Sequence, residues 1–206
     1  MHTLTLPLTP DAVRSLHVGD PVRLNGVLLT GRDAAHKWLV ESFIRKTLSP
    51  SPDDMAALQA IGPRLAGGAI YHCGPVVAGL DTQEYRFVAA GPTTSTREEP
   101  YQAEVMRHFG VRAVIGKGGM GVRTLAACQE VPGVYLHAIG GAATLIAQTV
   151  QRVLGVYKLE FGVPEAMWAI EVKDFPAVVT MDSHGQSLHV DVEARSREAL
   201  KRLMAA

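Results

Sequence analysis

Two loops in this chain combine a positive charge with groups that donate or accept hydrogen bonds at close range. Gly91-Pro92-Thr93-Thr94-Ser95-Thr96-Arg97 sets four hydroxyls and one guanidinium within seven residues. Gly116-Lys117-Gly118-Gly119-Met120-Gly121 sets one ammonium among glycines that allow close backbone approach to a ligand. Helix capping accounts for one hydroxyl of the first loop but not for four. The second is not a P-loop, because the Gly-x-x-x-x-Gly-Lys-Ser/Thr spacing is absent. A third segment, Thr30-Gly31-Arg32-Asp33-Ala34-Ala35-His36-Lys37, repeats the strand-end arrangement and adds a third cation. Arg donates two parallel hydrogen bonds to a carboxylate, whereas Lys acts as a point charge. Helix starts add free N–H groups, so the expected chemistry is the holding of a small carboxylate or phosphate.

These loops need a scaffold that brings them to one edge. The pattern predicts strands over 22–29, 69–72, 85–90, 112–115 and 134–138, with helices over 34–48, 99–109, 120–129 and 142–154. Asp33 is a candidate N-cap or first-turn acid, and His36, four past Arg32, points to the same rim if the segment is helical. A lone His is more often structural or solvated than catalytic. The βα alternation argues for a parallel or mixed sheet with helices packed on it. Parallel strands set their following loops side by side, which would gather Arg32, Arg97 and Lys117. Ser49-Pro50-Ser51-Pro52-Asp53-Asp54 reads as a mobile break and a new helix start. Beyond Gly155 the reading changes to strands over 157–161, 168–172, 177–181 and 187–192, then a charged helix over 195–203. Asp182-Ser183-His184-Gly185 is the expected hairpin turn between the last two strands. The fold class expected is α/β, one domain over 1–206.

Composition removes several classes of function. Lys plus Arg (20) balance Asp plus Glu (20), which argues against nucleic acid or an anionic membrane as partner. No apolar run approaches the roughly 18 residues that span a bilayer. The N-terminal residues lack the basic and apolar regions of a signal peptide, and with two cysteines the expectation is a cytoplasmic protein. Two cysteines, Cys73 and Cys128, are too few for an iron–sulfur cluster, which takes three or four thiolates. No His pair has zinc-type spacing, so no metal is expected in this chain.

Taken together, Gly31-Arg32-Asp33-x-Ala35-His36, Gly91-Pro92-Thr93-Thr94-Ser95-x-Arg97, Lys117-Gly118-Gly119-Met120, Asp174-Phe175-Pro176 and Asp182-x-x-Gly185 resemble the β subunit, or C-terminal domain, of iron–sulfur hydro-lyases. That group holds the class I fumarases and L(+)-tartrate dehydratase. The likeness covers most of the chain, in order. It departs at Glu98, where the pattern has Met after the Arg.

The resemblance implies a single swivelling β/β/α domain with a mixed sheet and flanking helices. It implies a partner α subunit holding a [4Fe–4S] cluster, whose open iron acts as Lewis acid while water is added to or removed from a dicarboxylic acid. Arg32, Arg97 and Lys117 would then bind substrate carboxylates, with Thr94, Ser95, Gly118 and Gly119 lining the same site. Thr93 would lie near the reacting carbon and, aided by Lys117, assist proton transfer; an unaided Thr hydroxyl is a poor base. A hetero-oligomer of α and β subunits is implied. A free-standing anion-binding or regulatory module of the same fold is the alternative, and a phosphate-binding enzyme using the Lys117 loop is a weaker one.

Overall fold

The computed structural model describes residues 1–205. In chain order the strands are β1 (His2–Thr5), β2 (Pro21–Thr30), β3 (Ala69–Tyr71), β4 (Val76–Ala78), β5 (Arg86–Ala89), β6 (Ala113–Gly116), β7 (Val134–His137), β8 (Val150–Tyr157) and β9 (Met167–Met181). The α-helices are α1 (Pro10–Arg14), α2 (Asp33–Leu39), α3 (Pro52–Leu65), α4 (Glu99–Phe109), α5 (Val122–Glu130), α6 (Ala143–Gln148) and α7 (Leu188–Met204). Strands β2, β3, β6 and β7 are parallel neighbours in that order. Strand β9 then pairs antiparallel with both β7 and β2, so the mixed sheet returns on itself. Strand β1 lies parallel to the first half of β2, and β8 antiparallel to the first half of β9.

A closed sheet buries both of its faces, and the residues alternate to match. Ala69 and Tyr71, Ala113 and Ile115, Val134 and Leu136 point into the inner core with Leu24, Leu28, Trp168 and Phe175. Ile70, Val114 and Tyr135, between them, point outward to a second core with Leu39, Ile61, Val105, Met106 and Cys128 from the helices. In β9 the inward set is Trp168, Ile170 and Val172, then Phe175, Ala177 and Val179. The phase change falls at Asp174, which adopts φ 54° and donates its N–H to the Asn25 side chain at 2.9 Å. The break in alternation makes one 15-residue strand read as two.

Several expected elements differ. The helix over 34–48 becomes α2 plus one π-helical turn and stops at Ile44. The helix over 142–154 stops at Gln148, with the Thr149 hydroxyl donating to the Ile146 carbonyl at 2.7 Å. The chain continues as β8, because the β9 edge offers it a ladder, and 157–161 is the end of that strand and a 3₁₀ turn. Residues 188–192 alternate like a strand but open helix α7, and only Ser187 bridges back to Met181. Strand β5 is not in the main sheet: it pairs with β4 in a two-stranded hairpin inserted between β3 and β6.

The segment expected to be mobile is instead fastened. Ser51 caps α3 in a reciprocal box with Asp54, whose other oxygen receives Trp38 Nε1 at 2.8 Å and Lys158 Nζ at 2.7 Å. Burial would raise the Asp54 carboxyl, but Lys158, Ser51 and Trp38 outweigh it and hold the group well below the usual range. Ser51→Ala removes one member of the box and is expected to cost about 1 kcal/mol. For a domain of this size that lowers the melting midpoint by about 2–4 °C, as thermal denaturation will show.

Candidate active site

The loops at the ends of the parallel strands share one edge of the sheet. At the end of β2 the Thr30 hydroxyl accepts from Trp168 N at 3.0 Å, and Gly31 N donates to the Tyr71 carbonyl at 3.0 Å. The chain then turns through an extended Arg32 into α2, whose first residue is Asp33. Glu165 fixes this turn: one oxygen lies 3.0 Å from Arg32 Nη1, the other accepts from Ala34 N at 3.2 Å. Gly74 packs against the guanidinium so closely that a Cβ there would lie 2.7 Å from Nη1.

The Gly-Pro-Thr-Thr-Ser loop runs into the gap between the ends of β3 and β6. Thr93 N donates to the His72 carbonyl at 2.7 Å, and Cys73 bridges Pro92. Lys117 N donates to the Thr93 carbonyl at 3.2 Å, and Ser95 N to the Lys117 carbonyl at 3.0 Å, which makes Thr94 and Lys117 a parallel bridge. Thr93 and Lys117 are therefore locked together through the backbone, with Arg32 on the adjoining strand end. Gly118 and Gly119 take φ of 80° and 83°, the left-handed region that favours glycine. At Gly119 a Cβ would strike the His189 ring at 2.5 Å. Thr94, in the bridge, and Arg97, on the short turn beyond it, are exposed, and Arg97 makes no ion pair among the described residues. Glu99, at the start of α4, reaches across to accept from Gly121 N at 2.8 Å and Arg123 N at 3.0 Å, capping α5 from outside.

Beneath this surface lies a buried polar layer. His36, His72, Ser95, Glu98 and Gln102 are all buried. His36 Nδ1 is 2.9 Å from the Arg32 carbonyl, and the end of the Gln102 side chain is 2.9 Å from Nε2 of both His36 and His72. Burial lowers the His36 pKa against the pull of the Arg32 carbonyl. Burial, then the charge of His36, pushes His72 down to about 3, so both rings are neutral. A neutral ring carries one N–H. The Arg32 carbonyl can only accept, so His36 donates from Nδ1 and presents a bare Nε2. Gln102 must therefore turn its NH₂ to the rings, one hydrogen for each, which also gives its otherwise unpartnered nitrogen two acceptors. His72 then donates from Nδ1 to Ser95 Oγ at 2.8 Å, which also accepts from the Tyr135 hydroxyl at 2.9 Å.

Four groups at this sheet edge have buried polar atoms without partners: Arg32 Nε, Asp33 Oδ1, Thr93 Oγ1 and both oxygens of Glu98. Buried polar atoms in native proteins are nearly always satisfied, so a cluster of orphans at one sheet edge marks a place where a ligand or a proton completes the set. Burial, then the hydrogen bond and charge of Asp33, push Glu98 up to about 8, with Arg32 opposing.

Known proteins bear on this geometry directly. The chain matches the family described as Fumarase C-terminus over residues 2–192. It belongs to that family. It is 53% identical to a putative fumarate hydratase class I of Geobacillus stearothermophilus over 96% of this chain, and spans 35% of that relative's length. It is 39% identical to a putative L(+)-tartrate dehydratase subunit beta of Methanocaldococcus jannaschii, covering 96% of this chain and 95% of the relative. It is 36% identical to the L(+)-tartrate dehydratase subunit beta of Escherichia coli strain K12, covering 90% and 85%.

Within the Fumarase C-terminus fold, sequence reasoning overlooked His72, Gln102 and Tyr135 as site-forming groups and treated Glu98 only as a departure. A signal existed. Glu98 and Gln102 stand four apart at the start of a helix and share its inward side with Ala103, Val105 and Met106, all buried. Polar residues on such a stripe must find buried partners. His36, expected at the rim, lies below it.

Two outcomes test this layer. Because the folded-state pKa of His72 is depressed, its contribution is present above about pH 6.5 and lost as pH falls toward 3. Urea midpoints of the native protein should fall between pH 7 and 5, and His72→Gln should reduce that slope. Gly116 has no room for a methyl group, since a Cβ there would meet Ser95 Oγ at 1.9 Å. Gly116→Ala is expected to cost about 1–3 kcal/mol, and adding Ser95→Ala should recover part of the loss in a double-mutant cycle.

Proposed function

We propose that this chain is the β subunit of a hydro-lyase that reversibly adds or removes water on a dicarboxylic acid, of the fumarate/malate or tartrate kind. Its site is shared with an α subunit that carries a [4Fe–4S] cluster. The observation that carries this reading is the Thr94–Lys117 bridge beside the Arg32 turn, in a chain that matches dehydratase β subunits over nearly their whole length. The residues of this chain do not fit a cluster of their own. It has two thiols, both buried, and burial pushes each up to about 12, whereas the thiolate is the ligand. The cluster is accordingly assigned to the partner, and the roles below concern this chain alone.

A dicarboxylate carries two negative charges, and an unpaired buried carboxylate is costly. Arg97, exposed and unpaired, offers its guanidinium fork to one carboxylate. Arg32, tied to Glu165 through Nη1, keeps donors on its remaining nitrogens. Thr93 Oγ1, buried and without a partner, faces the reacting carbon and moves a proton there. Lys117, joined to Thr93 through one peptide hydrogen bond, offsets the negative charge that develops on that oxygen. Glycines at 118 and 119 let the ligand lie against the main chain.

Co-production with an iron–sulfur α subunit, anaerobic reconstitution and a panel of hydroxy diacids provide the test. The complex is expected to turn over one diacid, and the chain alone none. Binding without turnover in the complex would identify a non-catalytic anion-binding module instead. Arg97→Ala should lower kcat/KM of the complex by about tenfold to a hundredfold, the worth of a charged hydrogen bond. Unchanged kinetics would remove Arg97 from the site.

A further inference from the structure

Among the described residues two acidic side chains are buried completely, Asp182 and Glu98, and their surroundings are opposite. The Asp182 carboxylate receives three backbone N–H groups, from Val18, His184 and Gln186, each at 3.0 Å. Both oxygens of that carboxylate are therefore satisfied by the main chain. Neither oxygen of Glu98 receives any donor from the protein. The groups that face it are Asp33 and Arg32 from the β2–α2 turn, His72 from the end of β3, and Tyr135 from β7. His72 Nδ1 lies 3.9 Å from Glu98 Oε2, beyond hydrogen-bond reach, and its proton goes to Ser95. Tyr135 gives its hydroxyl proton to Ser95 as well. Only Asp33 and Arg32 remain.

Asp33 Oδ1 and Arg32 Nε are themselves buried and unpartnered. If Glu98 were ionised, the nearest answer to its charge would be the Arg32 guanidinium, which already holds Glu165. If Glu98 carries a proton, that proton answers Asp33, and a carboxylic acid plus a carboxylate replaces two charges that repel. The orphaned oxygens of both residues then form one donor–acceptor pair, while Arg32 Nε stays uncommitted.

We infer that Glu98 is a positioning residue: as a neutral acid donating to Asp33, it leaves the Arg32 guanidinium free to receive a carboxylate of the substrate. Glu98 does not touch the ligand and acts through Arg32. The raised Glu98 pKa of about 8 agrees with this arrangement and sets the range in which it fails. Above that range Glu98 ionises and competes with the incoming anion for Arg32, so the site's affinity for dicarboxylates declines in alkali. This inference rests on the hydro-lyase reading for its kinetic consequence, but the protonation of Glu98 is a property of the chain itself.

Two measurements separate the two claims. Infrared difference spectra of the full chain between pH 6 and 10 should show one protonated-carboxyl band that disappears above pH 8 and is absent from Glu98→Gln. A wild-type spectrum without that band, or a band unchanged in the variant, overturns the inference whatever the enzyme does. In the reconstituted complex, KM for the diacid that is turned over should rise about fivefold between pH 8 and 9 as the acid titrates, while kcat moves far less. Glu98→Gln, which keeps a neutral donor toward Asp33, should flatten that limb. A limb that persists in the variant overturns the inference. Complete inactivity of the wild-type complex toward every diacid counts against the hydro-lyase reading alone, and the infrared result then decides Glu98.

Discussion

One amide between two neutral imidazoles sets the height and tilt of everything the site presents. Gln102 reaches from α4 to His36 on α2 and to His72 at the end of β3, and His72 passes the connection to Ser95 and Tyr135. Each contact is a neutral hydrogen bond, modest in net free energy, but each member left alone would be a buried unsatisfied group costing about 1–3 kcal/mol. That asymmetry makes the network rigid. Because Ser95 sits two residues past Thr93 and its own N–H is bonded to the Lys117 carbonyl, the network fixes the Thr93 hydroxyl and the lysine loop together. Charging either ring would break it, which is why the depressed histidine pKa values are a structural requirement of the site.

The closed sheet explains how such a layer is tolerated at all. Inside the sheet the core is apolar, built on Leu24, Leu28, Trp168, Ile170 and Phe175. The helices bury a second apolar layer on the outside. The buried histidine–glutamine layer gathers at the rim where β2, β3, β6 and β7 end, and there the backbone has lost its ladder partners. The Thr94–Lys117 and Cys73–Pro92 bridges continue the hydrogen bonding a short way past the strand ends. This extension seats a loop that entered through the β4–β5 hairpin, not from a neighbouring parallel strand.

Where local pattern and tertiary partner agree, the sequence was readable. Helix α4 was legible to the residue, 99–109, because an apolar stripe, an acidic first turn and the Gly110 left-handed stop coincide. Strands β3, β6 and β7 were legible within two residues at each end. The failures share one cause. Residues 150–154 include the helix formers Gln151, Arg152 and Leu154 at the end of the predicted helix, yet the free edge of β9 recruits them. Residues 188–192 alternate as a strand would, yet no edge is available to them, and Leu188, Val190 and Val192 stay exposed in a helix. Strand partners are non-local, and no local pattern reports whether an edge is vacant. For the site, the three cation-bearing loops were visible as composition, but the buried histidine–glutamine layer was not. Its members are 36, 72, 95, 102 and 135, and only the fold makes them neighbours.

The exposure of the upper surface completes the physical case for a shared site. Thr94, Arg97 and Gly118 face solvent, whereas the orphaned atoms of Thr93, Arg32 and Glu98 lie just below. A guanidinium in open water holds a carboxylate weakly, since the surrounding dielectric screens the pair. The same cation under a cover that excludes water binds far more strongly and stabilises charge as it develops. A chain built to work alone would supply that cover from its own loops. This one leaves Arg97 on an exposed shelf and sinks Arg32 Nε and Thr93 Oγ1 beneath it, an arrangement that would become a reaction chamber once a second surface closed over the shelf. On the proposed reading that surface is the iron–sulfur subunit, and the swivelling of this domain is the motion that brings the two halves together.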